Sequence, residues 1–343
     1  MQAKNQTSPA RSARRASRHA VLGVVLAIGS VSAWAADAVQ KPLPVAIVDT
    51  LNQLSGGVHP GYRANHAKGV LVTGTFTPTS GAAEYSMAPH FAAAVPVVVR
   101  FSNATGVPTL ADADPHGSPH GVASRCQLPG GETTDIVSIS ANSFPVATPE
   151  DFLALLQAVA ASGDSAAKPS PIEQFLGSHP VTLKWVTTPR PAPVSFGTLA
   201  FYGVNAFKFT NAKGVSRCVR YQILPVAGEQ ALDAAAVAKA APNYLMDELP
   251  QRIAAGAVKY RLLAQVASDT DQTTDGSVVW PAERSVVELG TLSLTGTPVE
   301  QVLAQKGLLF NPLLLPAGIE PSADPVLLAR PGAYAVSFGQ RAR

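Results

Sequence analysis

His66 is the residue of this chain best placed to move protons. It stands in Arg63-Ala64-Asn65-His66-Ala67-Lys68-Gly69, among small residues and two cations. A free imidazole titrates near neutrality, so it can take a proton from one atom and return it to another. His59, His90, His116, His120 and His179 lack comparable surroundings. His116 and His120 are four apart, but Gly117 and Pro119 argue against a helix carrying both to a metal. There is no HExxH, no paired CxxC and no phosphate-binding glycine loop. Chemistry at His66 therefore needs partners from elsewhere in the chain. The candidates are Arg100 and Ser102 in Val99-Arg100-Phe101-Ser102, Asn142 ahead of Phe144-Pro145, and Arg330 to Tyr334 near the C-terminus.

The elements that must position these groups are mostly strands. Gly69 to Pro78 alternates Val70, Val72, Gly74 and Phe76 with Leu71 and threonines, which predicts a half-buried strand directly after His66. Val95 to Phe101 predicts a second strand, with Arg100 and Ser102 on one face and Val97, Val99 and Phe101 on the other. Residues 103–119 read as loop. His120 to Leu128 and Thr134 to Ala141 read as a hairpin about Pro129-Gly130-Gly131. Thr148 is a good N-cap, Pro149 suits the first helical position, and Glu150 and Asp151 suit the positive helix end, so a helix opens there. Residues 167–200 read as mostly connecting, with one short helix near Ile172 to Leu176. Val204 to Thr210 and Val215 to Leu224 predict another hairpin. Ala231 to Ala241 and Val299 to Lys306 read as helices, and Val258 to Ser268 and Arg284 to Thr295 as strands. Residues 36–60 read as an irregular arm. Hairpin order favours antiparallel pairing over βαβ units, so the expected class is α+β with about eight strands, enough to close a barrel.

Composition narrows the class of function. Residues 1–18 carry Lys4, Arg11, Arg14, Arg15 and Arg18 and no acid, Ala20 to Ala36 is uncharged, and Ala33-Trp34-Ala35 has a small-x-small form. This is the pattern of a signal peptide over residues 1–35, followed by one domain over 36–343. The expected location is periplasmic or otherwise exported, with a retained N-terminal anchor as the alternative; about 17 uncharged residues are short for a bilayer span. Of 26 Lys and Arg, five belong to that segment, leaving 21 against 23 Asp and Glu, a net of −2. Nucleic-acid binding thereby loses its electrostatic footing. Cys126 and Cys218 either pair across a long loop or remain separate thiols.

Arg63-x-x-His66-Ala-Lys-Gly69 resembles the distal-histidine motif of the catalase superfamily. Val-Arg100-Phe-Ser102 is similar to the family's next segment, and Asn142 precedes Pro145 by three, as does the family's distal asparagine. Tyr202-Gly-Val-Asn205-Ala-Phe207-Lys-Phe209 resembles one of its barrel strands. Pro316 to Pro325 leads into Arg330-x-x-x-Tyr334, as in the proximal ligand segment. The length suggests the short branch, the catalase-related peroxidases. The resemblance implies an antiparallel eight-stranded β-barrel with accessory helices, without the C-terminal helical region of full-length catalases.

It also implies roles. His66, Ser102 and Asn142 would be catalytic. Tyr334 would ligate the iron of haem b as phenolate, helped by Arg330. Arg63, Arg100 and Arg341 would pair with haem carboxylates, because guanidinium binds carboxylate in a bidentate fork. Phe152 would pack over the haem. The implied activity is reduction of hydrogen peroxide or organic hydroperoxides by a small organic electron donor, with weak catalase activity beside it. A hydroperoxide isomerase of allene-oxide-synthase type and a non-catalytic haem-binding protein are the alternatives. No nucleic-acid partner is expected, nor stable membrane association once the leader is cleaved; a homo-oligomer is compatible. Three departures from the family pattern carry expectations. Pro331 after Arg330 predicts a kink or a helix start there. Phe144 replaces a small polar residue near Asn142. Asn65 sets a polar group beside His66.

Overall fold

The structure, a computed structural model, describes residues 41–163 and 165–342. The leader-like residues 1–35 lie outside the described residues. Among the described residues no helix is long and apolar enough to cross a membrane.

Ten strands form one antiparallel sheet: β1 (Gly69–Pro78), β2 (Val95–Ser102), β3 (Gly121–Gln127), β4 (Thr133–Ile139), β5 (Phe201–Tyr202), β6 (Phe207–Thr210), β7 (Ser216–Pro225), β8 (Val258–Val266), β9 (Val286–Gly296) and β10 (Ile319–Pro321). Pairing runs β1-β2-β3-β4-β5-β7-β8-β9 and back to β1, so eight strands close a barrel. β6 pairs with the first half of β7, and β10 pairs with β6. The interior is filled by side chains. Phe101 stacks on Phe196 with ring centroids 5.4 Å apart, and Phe201 and Tyr260 close around them. These rings are almost fully buried, and large aromatics dominate the apolar area such a core removes from water.

Among the described residues eight helices accompany the barrel: α1 (Leu43–Leu54), α2 (Pro149–Ala160), α3 (Pro171–Ser178), α4 (Pro180–Thr187), α5 (Ala234–Val237), α6 (Tyr244–Ala255), α7 (Gln301–Lys306) and α8 (Pro325–Arg341). The expected cap of α2 is present: Thr148 Oγ1 accepts from Asp151 N at 3.1 Å. Several expectations need correction. The arm at 36–60 contains the 12-residue helix α1. The segment 167–200 holds two helices, not one. The alanine-rich helix shrinks to the four residues of α5, and α6 follows it. Of the two arrangements left open for the cysteines, Cys126 and Cys218 have the separate one: both are free thiols.

α8 runs without interruption through Pro331, where a kink or helix start was expected. Proline forfeits one backbone hydrogen bond, but the helix is held on both sides of it. At its start Asp324 Oδ1 accepts from Val326 N at 2.9 Å and Leu327 N at 3.3 Å. Further along, α1 grips α8: a Cβ on Gly332 would lie 3.0 Å from Pro44 Cγ, so the two backbones approach closely because that residue has no side chain. Asn52 Nδ2 donates to Gln340 Oε1 at 2.8 Å, and Ala64 N to Ser337 Oγ at 3.0 Å.

Candidate active site

The alternation of β2 decides where the site lies. Val97, Val99 and Phe101 face the barrel core, so Arg100 and Ser102 face outward. On that outer face of β2 to β5, beneath α1, α2 and α8, is a cavity with about 250 Å³ of space open to the centre of a water molecule. His66, Ser102, Arg63, Arg100, Phe152, Arg330, Tyr334 and Arg341 all line it. Residues up to 278 positions apart in the chain, Arg63 and Arg341, thus line one space. Phe152 enters from α2 and packs against Phe144, with centroids 5.1 Å apart.

Asn142 is the exception. It is solvent-exposed and does not line the cavity. The turn after β4 instead presents Phe144 inward, anchored by its N–H on Gly276 O at 2.9 Å. Burying the Phe144 ring against Phe152 stabilises this turn, whereas an amide stays hydrated at little cost. Two other asparagines line the cavity, Asn65 beside His66 and Asn205 beside Arg330. Asn65 bears on His66 directly. Its Oδ1 accepts the His66 N–H at 3.0 Å, supporting His66 at φ 56°, the left-handed region that residues with a Cβ rarely adopt.

His66 Nδ1 lies 3.0 Å from Ser102 Oγ. Gly121 is the floor beneath the ring: a Cβ there would lie 2.7 Å from His66 Cε1 and 3.0 Å from Ser102 Oγ. The imidazole is therefore seated by one hydrogen bond and one missing side chain. Burial, then the charges of Arg100, Arg330 and Arg63, lower its pKa to about 3, so it rests neutral.

Three arginines converge without an acid. Arg63 and Arg341 each donate an Nη2–H to Leu308 O, at 2.9 and 2.7 Å. Arg100 donates from Nε to Gln305 Oε1 at 2.7 Å and from Nη2 to Ala67 O at 3.1 Å. None of the three has a carboxylate partner among the described residues. Arg341 Nε is buried with no partner at all. Burial and mutual repulsion depress Arg63 to about 8 and Arg100 to about 9. Such a cluster calls for an anionic ligand, and two carboxylates would supply both the charge and the acceptors.

At the opposite end of the donor set stands Tyr334. Its Oη receives Arg330 Nε–H at 3.0 Å and Nη2–H at 2.8 Å. Arg330 Nη1 donates to Asn205 Oδ1 at 2.8 Å, and Asn205 Nδ2 donates to Asp324 Oδ2 at 2.7 Å. Two donated hydrogens orient the Tyr334 oxygen, and an oxygen ligand of this kind suits ferric iron. A tyrosine oxygen, a proton-handling imidazole, three cations without carboxylate partners among the described residues and an apolar remainder fit haem iron. Asn205 and Asp324 were not singled out as site residues from the sequence. Asp324-Pro325 did carry a helix-start signal, and the start of α8 is what sets the position of Arg330 and Tyr334.

The chain matches the family model described as Catalase over residues 49–343. It is 37% identical over 291 residues to a catalase-related peroxidase of Mycolicibacterium paratuberculosis, covering 84% of this chain and 91% of that one. It is 33% identical to a catalase-related peroxidase of Synechococcus elongatus, covering 84% and 85%. Among solved structures, the chain matches a fungal catalase with a TM-score of 0.73 at 22% identity, covering 82% of this chain and 59% of that one.

Proposed function

The chain belongs to the catalase family, and from that membership we propose an exported haem-b peroxidase in which Tyr334 ligates the iron and His66 moves the proton. It is a haem peroxidase, an oxidoreductase acting on peroxide. The observation that carries the residue assignment is the carboxylate-free trio Arg63, Arg100 and Arg341 in the same cavity as His66 and Tyr334.

Bound haem would supply the redox centre at which the peroxide O–O bond is reduced. The chain's own residues do the rest. His66 must accept at Nε2, so Nδ1 carries the hydrogen and donates to Ser102 Oγ. His66 Nε2 takes the proton of the nearer peroxide oxygen and delivers it to the farther one, which leaves as water. Burial is the larger reason that His66 sits low, but carboxylates set on Arg63 and Arg100 would offset two of the charges that add to it, raising its basicity toward that task. Arg330 holds the Tyr334 oxygen in place with two hydrogen bonds. Phe144 and Phe152 exclude water from one wall. A small organic molecule then returns two electrons in single steps. The names of the relatives are peroxidase and catalase, and they favour neither the isomerase nor the carrier alternative.

The test is the visible spectrum of the haem-loaded protein beside Tyr334→Phe. The wild type should show a high-spin ferric spectrum of tyrosinate type, lost in the variant. A spectrum indifferent to Tyr334 would remove the ligand assignment.

A further inference from the structure

A second cavity lies behind the strand start that seats His66, and we propose that it binds a small phenol as the reducing substrate, with His120 taking the phenolic proton. The proposal rests on the peroxidase reading above. The cavity has about 280 Å³ of space open to the centre of a water molecule. Pro189 and Leu199 give it apolar walls, and Ser118, Arg190, Glu229 and His120 give it polar groups. The two cavities meet neighbouring residues of one segment: His120 lines the second, and Gly121, the seat of the His66 ring, lines the first.

His120 is built as a hydrogen-bond acceptor. Asp112 is 1% exposed and fixed by Lys68 Nζ at 2.7 Å and by Leu245 N at 2.9 Å. Asn103 Nδ2 donates to Asp112 Oδ1 at 2.8 Å, so Asn103 turns its Oδ1 to His120 Nδ1 at 3.1 Å. His120 Nδ1 must then carry the hydrogen, which leaves a lone pair on Nε2. His120 Nε2 has no hydrogen-bond partner among the described residues and is not sealed from solvent. Burial holds this imidazole below its ordinary range, at about 4, so it is neutral at physiological pH.

An open acceptor nitrogen on a neutral, anchored ring suits an O–H donor. Arg190 adds a guanidinium held over the Trp185 ring at 4.1 Å, with no acid paired to it among the described residues. It offers donors to a second oxygen on the same ring, as in a methoxyphenol or a catechol.

The step balances. The phenolic O–H bond breaks; its proton goes to His120 Nε2 and from there to solvent, and one electron passes to the site that peroxide has oxidised. A phenoxyl radical leaves. His120 gives each proton up to solvent before the next phenol binds, and solvent supplies two protons to the remaining oxygen, so two phenols reduce one peroxide to two waters. Without a proton acceptor the phenol would have to lose its electron as a radical cation, which is a higher barrier.

The test uses haem-loaded protein with guaiacol, a methoxyphenol, and ferrocyanide, which gives an electron and no proton. The variants are His120→Gln, and Ala231→Trp on the exposed rim. Calorimetry without peroxide should find one guaiacol per wild-type chain, bound at least tenfold more weakly by Ala231→Trp. Both variants should lower the guaiacol-to-ferrocyanide ratio of kcat/KM at least tenfold. A ratio within twofold of wild type in both, or competition between guaiacol and cyanide for one site, overturns the proposal. Absence of ferrocyanide-supported turnover in the wild type would sink the peroxidase reading itself; its presence with an unaltered ratio sinks only the donor site.

Discussion

Arg330 gives two hydrogen bonds to a single oxygen, Tyr334 Oη, across Pro331, the residue that the sequence suggested would break their helix. The pairing survives because Arg330 is also held from the barrel side. Asn205 Oδ1 takes its third N–H group, and the fully buried Asp324 fixes Asn205 in turn.

Replacing Asn205 by Leu should therefore cost more than one hydrogen bond. It leaves Asp324 Oδ2 and Arg330 Nη1 without their partner in a buried region, a loss of about 2–4 kcal/mol. Urea unfolding of the haem-free protein measures it. A change below about 0.5 kcal/mol would mean the relay adds nothing beyond a typical exposed contact.

The seat of His66 makes a graded prediction. Ser102→Ala removes one hydrogen bond of about 1 kcal/mol and should slow peroxide consumption roughly fivefold to tenfold. Gly121→Ala sets a methyl 2.7 Å from the ring and should slow it more than about a hundredfold. Haem content, read from the absorbance ratio, should stay near wild type in both. Equal rates in the two variants would show that ring position is not what matters.

The arginine trio predicts opposite effects in the two forms of the protein. Arg100→Met removes a charge that repels Arg341 and Arg63, so the haem-free variant should be more stable than wild type by about 1–3 kcal/mol. The loaded variant should release haem at least about tenfold faster, since a charge-assisted bond is lost. Thermal melts with and without haem, and transfer of haem to an acceptor protein, read the two. Slower release from Arg100→Met would refute the carboxylate assignment.

His90 predicts an acid window. It is 1% exposed, neither ring nitrogen has a partner, and it packs 4.1 Å from the Phe91 ring centroid. Burial lowers its pKa from 6.5 to about 4. The unfolded chain takes up this proton below pH 6.5 while the folded chain does not. The contribution to stability is thus full above pH 6.5 and is lost as pH falls toward 4, about 3 kcal/mol in all. His90→Leu should lower the proton uptake on unfolding in that window by about one, leaving the shares of His66 and His120. An unchanged pH slope would place the proton elsewhere.

Much of the frame was legible because it is local. The alternation in Gly69 to Pro78 gave β1 with its bounds, and period two put Arg100 and Ser102 on the site face. Thr148-Pro149 announced α2. What failed depends on distant partners. α1 has no side-chain cap and no acid in its first turn, and its packing against α8 and α2 supplies what its ends lack. α6 has no side-chain cap and contains Pro250. Asn142 lost its place to Phe144, a contest decided by the Phe152 ring on another element. His120 looked ordinary because Lys68, Asn103 and Asp112 come from the strand entry and the loop between β2 and β3.

The grip of α1 on α8 sets a timetable. Asn52 and Gln340, which close it, are 288 positions apart. A ribosome releases the first of these helices long before it has made the second, so a growing chain has barrel strands but no finished pocket. Haem can be seated only after synthesis has passed α8, and docking that helix must close a loop of almost the whole domain. The pocket is therefore the last part of the domain to be completed, closed by protein contacts of α8 with α1 that only a finished chain can make.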